Sequence, residues 1–499
     1  MTGHAESPFE HVELRPGAYA DSVALLQVSK DVAAADGVLA AQVAMATPLN
    51  LEVIARMGFT LPEASPNDMV VAVRLASEEH LTSALATVDA AIDATRRQSG
   101  SSEDVVVPSR TTHSALSRSR AGMALISVPG PSAAVEAMDA IDAGQDVMIF
   151  SDNVPLDQEI ALKQVAAQRD VLVMGPDCGT AVVNGVGLGF ANTVRPGPVG
   201  LVAASGTGCQ QLLALLDHAG VGISAALGVG GRDLGADVRG LSTRQAMRRL
   251  DADPTTELIV VVSKPPAPEV AQELRDFAAT LSTPVQFALL GARQPDLTAA
   301  AEQVLRTLGR AVPEWPVWGT TAPGGSGQLR GLFAGGTLCD ESMLVAEAEL
   351  GEVWSNIPLG DDHRLDSTLE ADGTVMIDFG SDEMTQGRPH PMIDPTIRLE
   401  HLAKVSSNPA VRVVLMDVVL GHGADADPAA TLAPAIRTAI GTARDDGREL
   451  SVVIACVGTS GDAQGLERQA QSLADAGAEV HLSNARASHR AVSLIGNAS

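Results

Sequence analysis

Cations are scarce in this chain. Lys and Arg total 34 against 61 Asp and Glu, a formal net charge of −27 over 499 residues. Such a surface repels nucleic acid and anionic membranes. An anionic ligand must be drawn in by local dipoles and a few placed cations. Cysteine is scarce too. Cys178, Cys209, Cys339 and Cys456 lie far apart with no C-x-x-C pair, which argues against a disulfide framework or a structural zinc site and fits a reducing cytosol. No apolar run approaches the roughly 20 residues that span a bilayer, and the polar opening MTGHAESPFE is not a signal peptide. Walker A and H-E-x-x-H motifs are missing, as are His/Cys clusters at ligand spacing, so no metal is expected.

What is present is ample apolar material: 45% hydrophobic residues against 19% charged, enough for about three domains at roughly 100–200 residues each. From about Arg15 to Ile92, helix-like and strand-like pieces alternate, with a buried strand at 69-MVVAV-73 and a helix through 80–92. The Ser- and Arg-rich stretch 97–120 reads as an exposed linker or long loop. A clear βαβα rhythm follows: strands at 123–128, 146–150 and 171–175, helices at 132–144 and 156–168. Apolar strands alternating with helices predict a parallel sheet covered on both faces.

An internal repeat begins near residue 198. One copy opens with 199-VGLVAASGTGCQQLL-213 and continues through strands at 258–262 and 285–291. The other opens with 329-LRGLFAGGTLCDESML-344 and continues through strands at 411–421 and 451–458. The segment 309–327, dense in Gly and Pro, joins them as a linker. The predicted class is α/β: a Rossmann-like domain of the CoA-binding type over 1–195, a first flavodoxin-like domain over 196–310, a linker over 311–327 and a second flavodoxin-like domain over 328–499.

Open parallel sheets bind ligands at the carboxyl ends of their strands, against helix N-termini that favour anions. Two turns fit, Ser205-Gly206-Thr207-Gly208 and Gly335-Gly336-Thr337. Each also reads as an ordinary N-cap, but the repeat allows the two helix starts to face one site. In 228-GVGGRDLG-235, Arg232 either binds a carboxylate or phosphate or pairs with an Asp on the surface. In 386-QGRPHPMIDPTIR-398, prolines flank His390 next to Arg388, a setting for anion binding and proton transfer near neutral pH. A plain structural loop explains that stretch as well. Cys178 reads either as a low-pKa thiol or as a buried structural one.

The stretches 125–166, 174-MGPDCGT-180, 199–213 and 228-GVGGRD-233 resemble the α-subunit of succinyl-CoA synthetase, and 411–430 with Gly458, Thr459 and 473–483 resembles the β-subunit ligase domain. The chain looks like fused ligase halves, with no stretch left to supply an ATP-grasp domain. The combination resembles the FdrA family in 64-ASPND-68, 150-FSDNV-154, 174-MGPDCGT-180, 228-GVGGRDL-234, 263-SKPPA-267, 335-GGTL-338 and 387-GRPHPMIDPT-396. Three departures from the synthetase stand out. The loop 289-LLGARQPDL-297 has no histidine, Lys264 stands where the synthetase has a glutamate, and no Gly-rich nucleotide turn is recognisable in 15–30.

The resemblance implies a cytoplasmic, oligomeric subunit of an oxamate-type carbamoyltransferase. Its substrates would be carbamoyl phosphate and a small anionic amide acid (oxamate or oxalurate) in purine nitrogen catabolism, and its partners two other protein subunits. Phosphohistidine relay and ATP-dependent ligation are not expected on this reading. No cofactor is assigned, and CoA belongs to the runner-up. Ser205, Gly206, Thr207 and Gly208, with Gly335, Gly336 and Thr337, would hold phosphate, joined through the shared motifs by Asn153, Asp177, Gly230, Gly231 and Arg232. Lys264, His390 and Arg388 would carry the chemistry. The runner-up is a CoA-dependent acyl transferase or acyl-CoA synthetase-like enzyme, and a third reading is a scaffold without catalysis.

Overall fold

The computed structural model describes residues 8–18, 20, 22–98, 109–118 and 122–496. They fall into two units, Met1–Pro108 with Gly387–Pro389, and Ser109–Gln386 with His390–Ser499. The expected linker at 97–120 lies largely outside the described residues.

In the first unit β1 (Phe9–Pro16), α1 (Ser22–Ala33), β2 (Val38–Met45), α2 (Pro48–Arg56), β3 (Asp68–Leu75) and α3 (Leu81–Gln98) follow in order. The sheet runs β1–β3–β2 and is antiparallel throughout, with Phe9 opposite Leu75 and Met45 opposite Met69. Within the span read as one Rossmann-like domain, this stretch is therefore an antiparallel α+β unit. The reason the sequence does not show it is physical. α1 and α3 cover Val71 and Val73 on one face, while Ile54 of α2 covers Val70 and Ala72 on the other. A central strand buried on both faces is a continuous apolar run whichever way its neighbours point.

The second unit opens with α4 (Thr112–Leu116) and a Rossmann-like βαβαβ: β4 (Met123–Ile126), α5 (Gly130–Asp142), β5 (Asp146–Ile149), α6 (Leu156–Gln168) and β6 (Val173–Met174). Its three strands are parallel in the order β4–β5–β6. A hairpin, β7 (Thr180–Val183) and β8 (Val186–Gly189), leads to the first ligase-type sheet. That sheet comprises β9 (Pro196–Ala204), α7 (Gly206–His218), β10 (Ile223–Gly228), α8 (Leu241–Ala252), β11 (Leu258–Ser263), α9 (Pro268–Ala278), β12 (Val285–Leu289) and α10 (Leu297–Thr307). Its order is β12–β11–β9–β10–β7–β8, parallel except at the hairpin edge.

The segment 311–327 contributes the edge strand β13 (Val317–Trp318) to the next sheet. It is tied down by Arg412, which donates to Pro323 O, and by Thr321, which accepts from Val452 N. Then come β14 (Gln328–Phe333), α11 (Gly336–Leu350), β15 (Val353–Ser355), β16 (Thr374–Asp378), α12 (Asp382–Thr385), α13 (Thr396–Ser406), β17 (Val411–Val419), α14 (Pro428–Asp445), β18 (Ser451–Val457), α15 (Leu466–Ala474), β19 (Glu479–His481) and α16 (Asn484–Gly496). The order is β13–β19–β18–β17–β14–β16–β15, parallel apart from β13. The Rossmann-like unit thus precedes two ligase-type, flavodoxin-like sheets, and the two repeat openings are the β9–α7 and β14–α11 turns. One apolar core runs through both sheets, from Leu201 and Leu212 to Leu332 and Val453.

Candidate functional site

In each repeat a buried strand ends in a Gly/Ser/Thr turn that starts a helix. At α7, Ser205 is the N-cap and its Oγ accepts from Gly208 N at 3.0 Å. At α11 the cap is Gly335, which has no side chain. Asp417, at the carboxyl end of β17, takes over, accepting from Ala334 N at 2.8 Å and Gly335 N at 2.7 Å. Asp417 is itself held by Arg398 Nη2 at 2.9 Å. The two helix starts face each other, since Ser205 Oγ donates to Thr337 Oγ1 at 2.6 Å. A Cβ on Gly335 would lie 2.8 Å from Thr207 Cγ2 and 3.0 Å from Asp417 Oδ2. The gap between the starts is therefore filled by protein hydroxyls and a carboxylate.

The open chemistry lies one turn away, around Lys264. Its ammonium makes no hydrogen bond or ion pair among the described residues. Lys264 Nζ and Asp378 Oδ2 lie 3.2 Å and 2.9 Å from the point a Cβ on Gly336 would occupy. Burial pulls the Lys264 pKa down, but Asp340, Asp378 and Asp177 outweigh it and hold it above the ordinary lysine value, so the cation is permanent.

The carboxylates respond in the opposite direction. Burial pushes Asp378 up to about 7 against the pull of Lys264 and the Gly380 N–H, which donates at 2.9 Å. Burial likewise takes Asp340 to about 6. Asp177 is exposed to solvent, yet the protein atoms crowded around its carboxyl push it up to about 7, opposed by Lys264 and assisted by Asp382 and Asp152. The result is one fixed cation among three carboxyls that titrate close to neutrality, a pattern concentrated at functional sites.

His390 lies beside this cluster. Its Nε2 and Asp378 Oδ1 come within 2.7 Å and 3.2 Å of the same point, the Cβ position of Gly380. Burial and the nearby Arg398 cation pull its pKa down to about 4, so the imidazole is neutral at pH 7. Nδ1 accepts from Met392 N at 3.3 Å, which leaves Nε2 facing the carboxyl.

The Rossmann-like strand ends converge on the same place. Asp177 N donates to Ser151 O at 3.0 Å, and a Cβ on Gly230 would strike Pro176 O at 2.4 Å. A Cβ on Gly130, at the start of α5, would meet Asp152 O at 2.2 Å. That helix start has no side-chain cap and no acid in its first turn, so its N–H groups suit an anion. Asn153 and Asp177 both adopt left-handed backbone, with φ of 53° and 55°, where Asn and Asp are tolerated best among residues with a side chain.

Sequence reasoning named Lys264, His390, Asp177 and both helix starts, and the structure brings them together. Gly231, 4.0 Å from Asp177 Oδ2 at its Cβ position, borders the cluster. Arg232 is already engaged, its Nη2 pairing with buried Glu159 at 2.9 Å and donating to Val154 O at 2.8 Å. Arg388 is exposed and groups with the first unit. Cys178 is no low-pKa thiol: burial pushes it up to about 12. Asp340, Asp378 and Asp417 were missed. Their only sequence signal is position, at or just past a strand's carboxyl end or in the first turns of a helix.

Three family models match: "AllF, heavy metal-associated domain" over residues 7–107, "CoA binding domain" over 194–285 and "CoA-ligase" over 332–494. The first implies a metal that the residues do not fit. No cysteine occurs before Cys178, and no group of three or more His, Cys, Asp or Glu among the described residues could hold an ion. YahF of Escherichia coli (strain K12) is 37% identical over 501 residues, covering 93% of this chain and 95% of its own. The α-subunit of ADP-forming succinate–CoA ligase from Aquifex aeolicus (strain VF5) is 28% identical over 31% of this chain. The match spans 51% of that subunit, and 64% of the α-subunit of malate–CoA ligase from Methylorubrum extorquens. The ATP citrate lyase of Methanothrix soehngenii, solved with citrate and coenzyme A, aligns with 18% identity and a TM-score of 0.31 over 40% of this chain and 37% of its own.

These matches correct the functional expectation. CoA-binding and CoA-ligase models, together with succinate– and malate–CoA ligase subunits, replace carbamoyl transfer, its carbamoyl phosphate and amide acid substrates and its partner subunits. They also overturn the inference that a missing loop histidine removes ligase-type activity, and they move CoA from runner-up to expected ligand. No helix among the described residues is long and apolar enough to cross a membrane. With YahF matched over nearly its whole length, the chain belongs to the FdrA family, an AllF-type amino-terminal domain leading into CoA-binding and CoA-ligase segments.

Proposed function

We propose that this protein is an acyl-CoA synthetase-like enzyme of the cytosol that moves an acyl group to or from the thiol of CoA, with Lys264 at the reacting centre. The observation that carries this reading is the unpartnered Lys264 ammonium, set among Asp177, Asp340 and Asp378 where segments of both CoA-related models meet. The four free, buried cysteines support the cytosolic setting.

CoA would be held by the α5 start at Gly130 and by the strand-end loops carrying Asn153 and Asp177, and once bound it supplies the thiol nucleophile. Lys264 places fixed positive charge where an acyl oxygen becomes negative, and a preorganised donor of this kind is worth about 10²–10³ in rate. Asp378, at about 7, exchanges a proton at neutral pH, as a general base or acid must. His390 is neutral there, and because Nδ1 accepts from Met392 N, its Nε2–H faces Asp378 as a hydrogen-bond donor. Asp417 holds the α11 start beside these groups, and the Ser205–Thr337 contact joins that start to the other repeat.

The test uses the full chain. CoA binding is measured by calorimetry, and acyl transfer is followed from a panel of acyl phosphates to CoA, the C–S bond forming as the acyl C–O bond breaks and phosphate leaves. Lys264→Ala should lower turnover by about 10²-fold or more while CoA still binds. Absence of CoA binding, or full turnover in Lys264→Ala, refutes the assignment.

A further inference from the structure

Behind the Asp378 turn lies a cavity of about 360 Å³, lined by Asn356, Ile357, Pro358, Arg364, Ser381, Asp382 and Glu383. Its size suits a small metabolite. The cavity shares a wall with the reacting centre. Asn356, only 7% exposed, donates from Nδ2 to Asp378 O at 2.8 Å and to Ser381 Oγ at 3.0 Å, and its Oδ1 accepts from Asp378 N at 2.9 Å. Arg364 spends one guanidinium N–H on Asn356 O at 2.9 Å, and no ion pair engages it among the described residues. Asp382 and Glu383, on the first turn of α12, bring two negative charges to the same lining.

That mixture is selective. The Asn356 amide and the Ser381 hydroxyl are spent on Asp378 O and on each other, so the donor left for a carboxylate is the Arg364 guanidinium. Two carboxylates in the same lining repel a second negative group and attract an ammonium. A dicarboxylate such as succinate or malate, the acids in the names of related ligases, would meet like charge at one end.

We propose that this cavity binds a small aminocarboxylic acid, with its carboxylate on Arg364 and its ammonium between Asp382 and Glu383. Any place for this ligand in a reaction rests on the acyl-CoA reading above. Binding itself can be measured without that reading.

The full-length protein is titrated calorimetrically with β-alanine, 4-aminobutanoate and succinate, and separately with CoA. The aminocarboxylates should bind at least about tenfold more tightly than succinate, and Arg364→Gln should weaken them by about tenfold or more. Arg364→Lys, which keeps the charge, should recover part of the loss. Asp382→Asn with Glu383→Gln should remove the preference over succinate. Equal or tighter binding of succinate by the unaltered protein, no aminocarboxylate binding, or unchanged affinity in Arg364→Gln overturns the proposal. CoA binding in a protein whose cavity fails these tests leaves the acyl-CoA reading standing. Aminocarboxylate binding without CoA binding does the reverse.

Discussion

Ser205 Oγ and Thr337 Oγ1 are 2.6 Å apart although 132 residues separate them in sequence, so the first helix starts of the two repeats are joined by a single buried hydrogen bond.

That bond should be measurable as a coupling. Ser205→Ala removes both the N-cap of α7 and the contact across the repeat, and should cost about 1–2 kcal/mol of stability. Thr337→Val removes only the contact. A double-mutant cycle by urea unfolding should return a coupling of about 1 kcal/mol. Strictly additive losses would mean that the two hydroxyls do not share a bond in solution.

Asp378 and His390 should impose opposite pH dependences on stability. Asp378 has a folded pKa of about 7, against about 4 in an unfolded chain. Between those values the folded state holds the extra proton, so this group's contribution falls as pH rises from about 4 to about 7 and is level above. His390 titrates near 4 when folded and near 6.5 when unfolded. Over that range the unfolded chain binds the extra proton, and this group's contribution rises with pH. Urea midpoints taken across the range should therefore fall less with pH in Asp378→Asn than in the unaltered protein, and rise less in His390→Gln.

Lys163 offers a third test, away from the reacting centre. It is fully buried, with its ammonium on Glu159 Oε1 at 2.7 Å, Asp233 Oδ1 at 2.8 Å and Val229 O at 2.9 Å. It pins helix α6 of the Rossmann-like unit to the loop that follows β10. Lys163→Met should cost about 3–5 kcal/mol, because two carboxylates lose their buried counter-charge. Asp233 keeps donors from Thr243 N and Oγ1, and Glu159 keeps Arg232, so a loss at the lower end is expected. A change in the denaturation midpoint too small to detect would show that the buried ion network does not hold the fold together.

The repeat, the parallel rhythm of 123–174 and the glycine-rich helix starts were legible because each is a local pattern of period or turn chemistry. Lys264 was legible as an odd residue in a recognisable loop. Asp340, Asp378 and Asp417 were not, since their meaning comes from strand order: β14 lies between β16 and β17, and only that adjacency brings an aspartate from each flanking strand to the α11 start. The antiparallel sheet of the first unit was hidden because double-sided burial erases the alternation that would have revealed it. The occupied gap between the helix starts could not be foreseen either, since a hydroxyl that caps its own helix and one that reaches across to another look the same in sequence.

The seam between the repeats is built from amides as well as hydroxyls. Gln211 donates to Leu482 O and accepts from Asn484 N, Asn192 donates to Asp462, and a single apolar core runs beneath them. Two copies joined in this way no longer behave as separable modules. If the polypeptide were severed between Trp318 and Gln328, each fragment would be left with a raw apolar face and stranded side-chain amides. Neither piece should accumulate alone, whereas producing both together should restore a single particle that melts in one step.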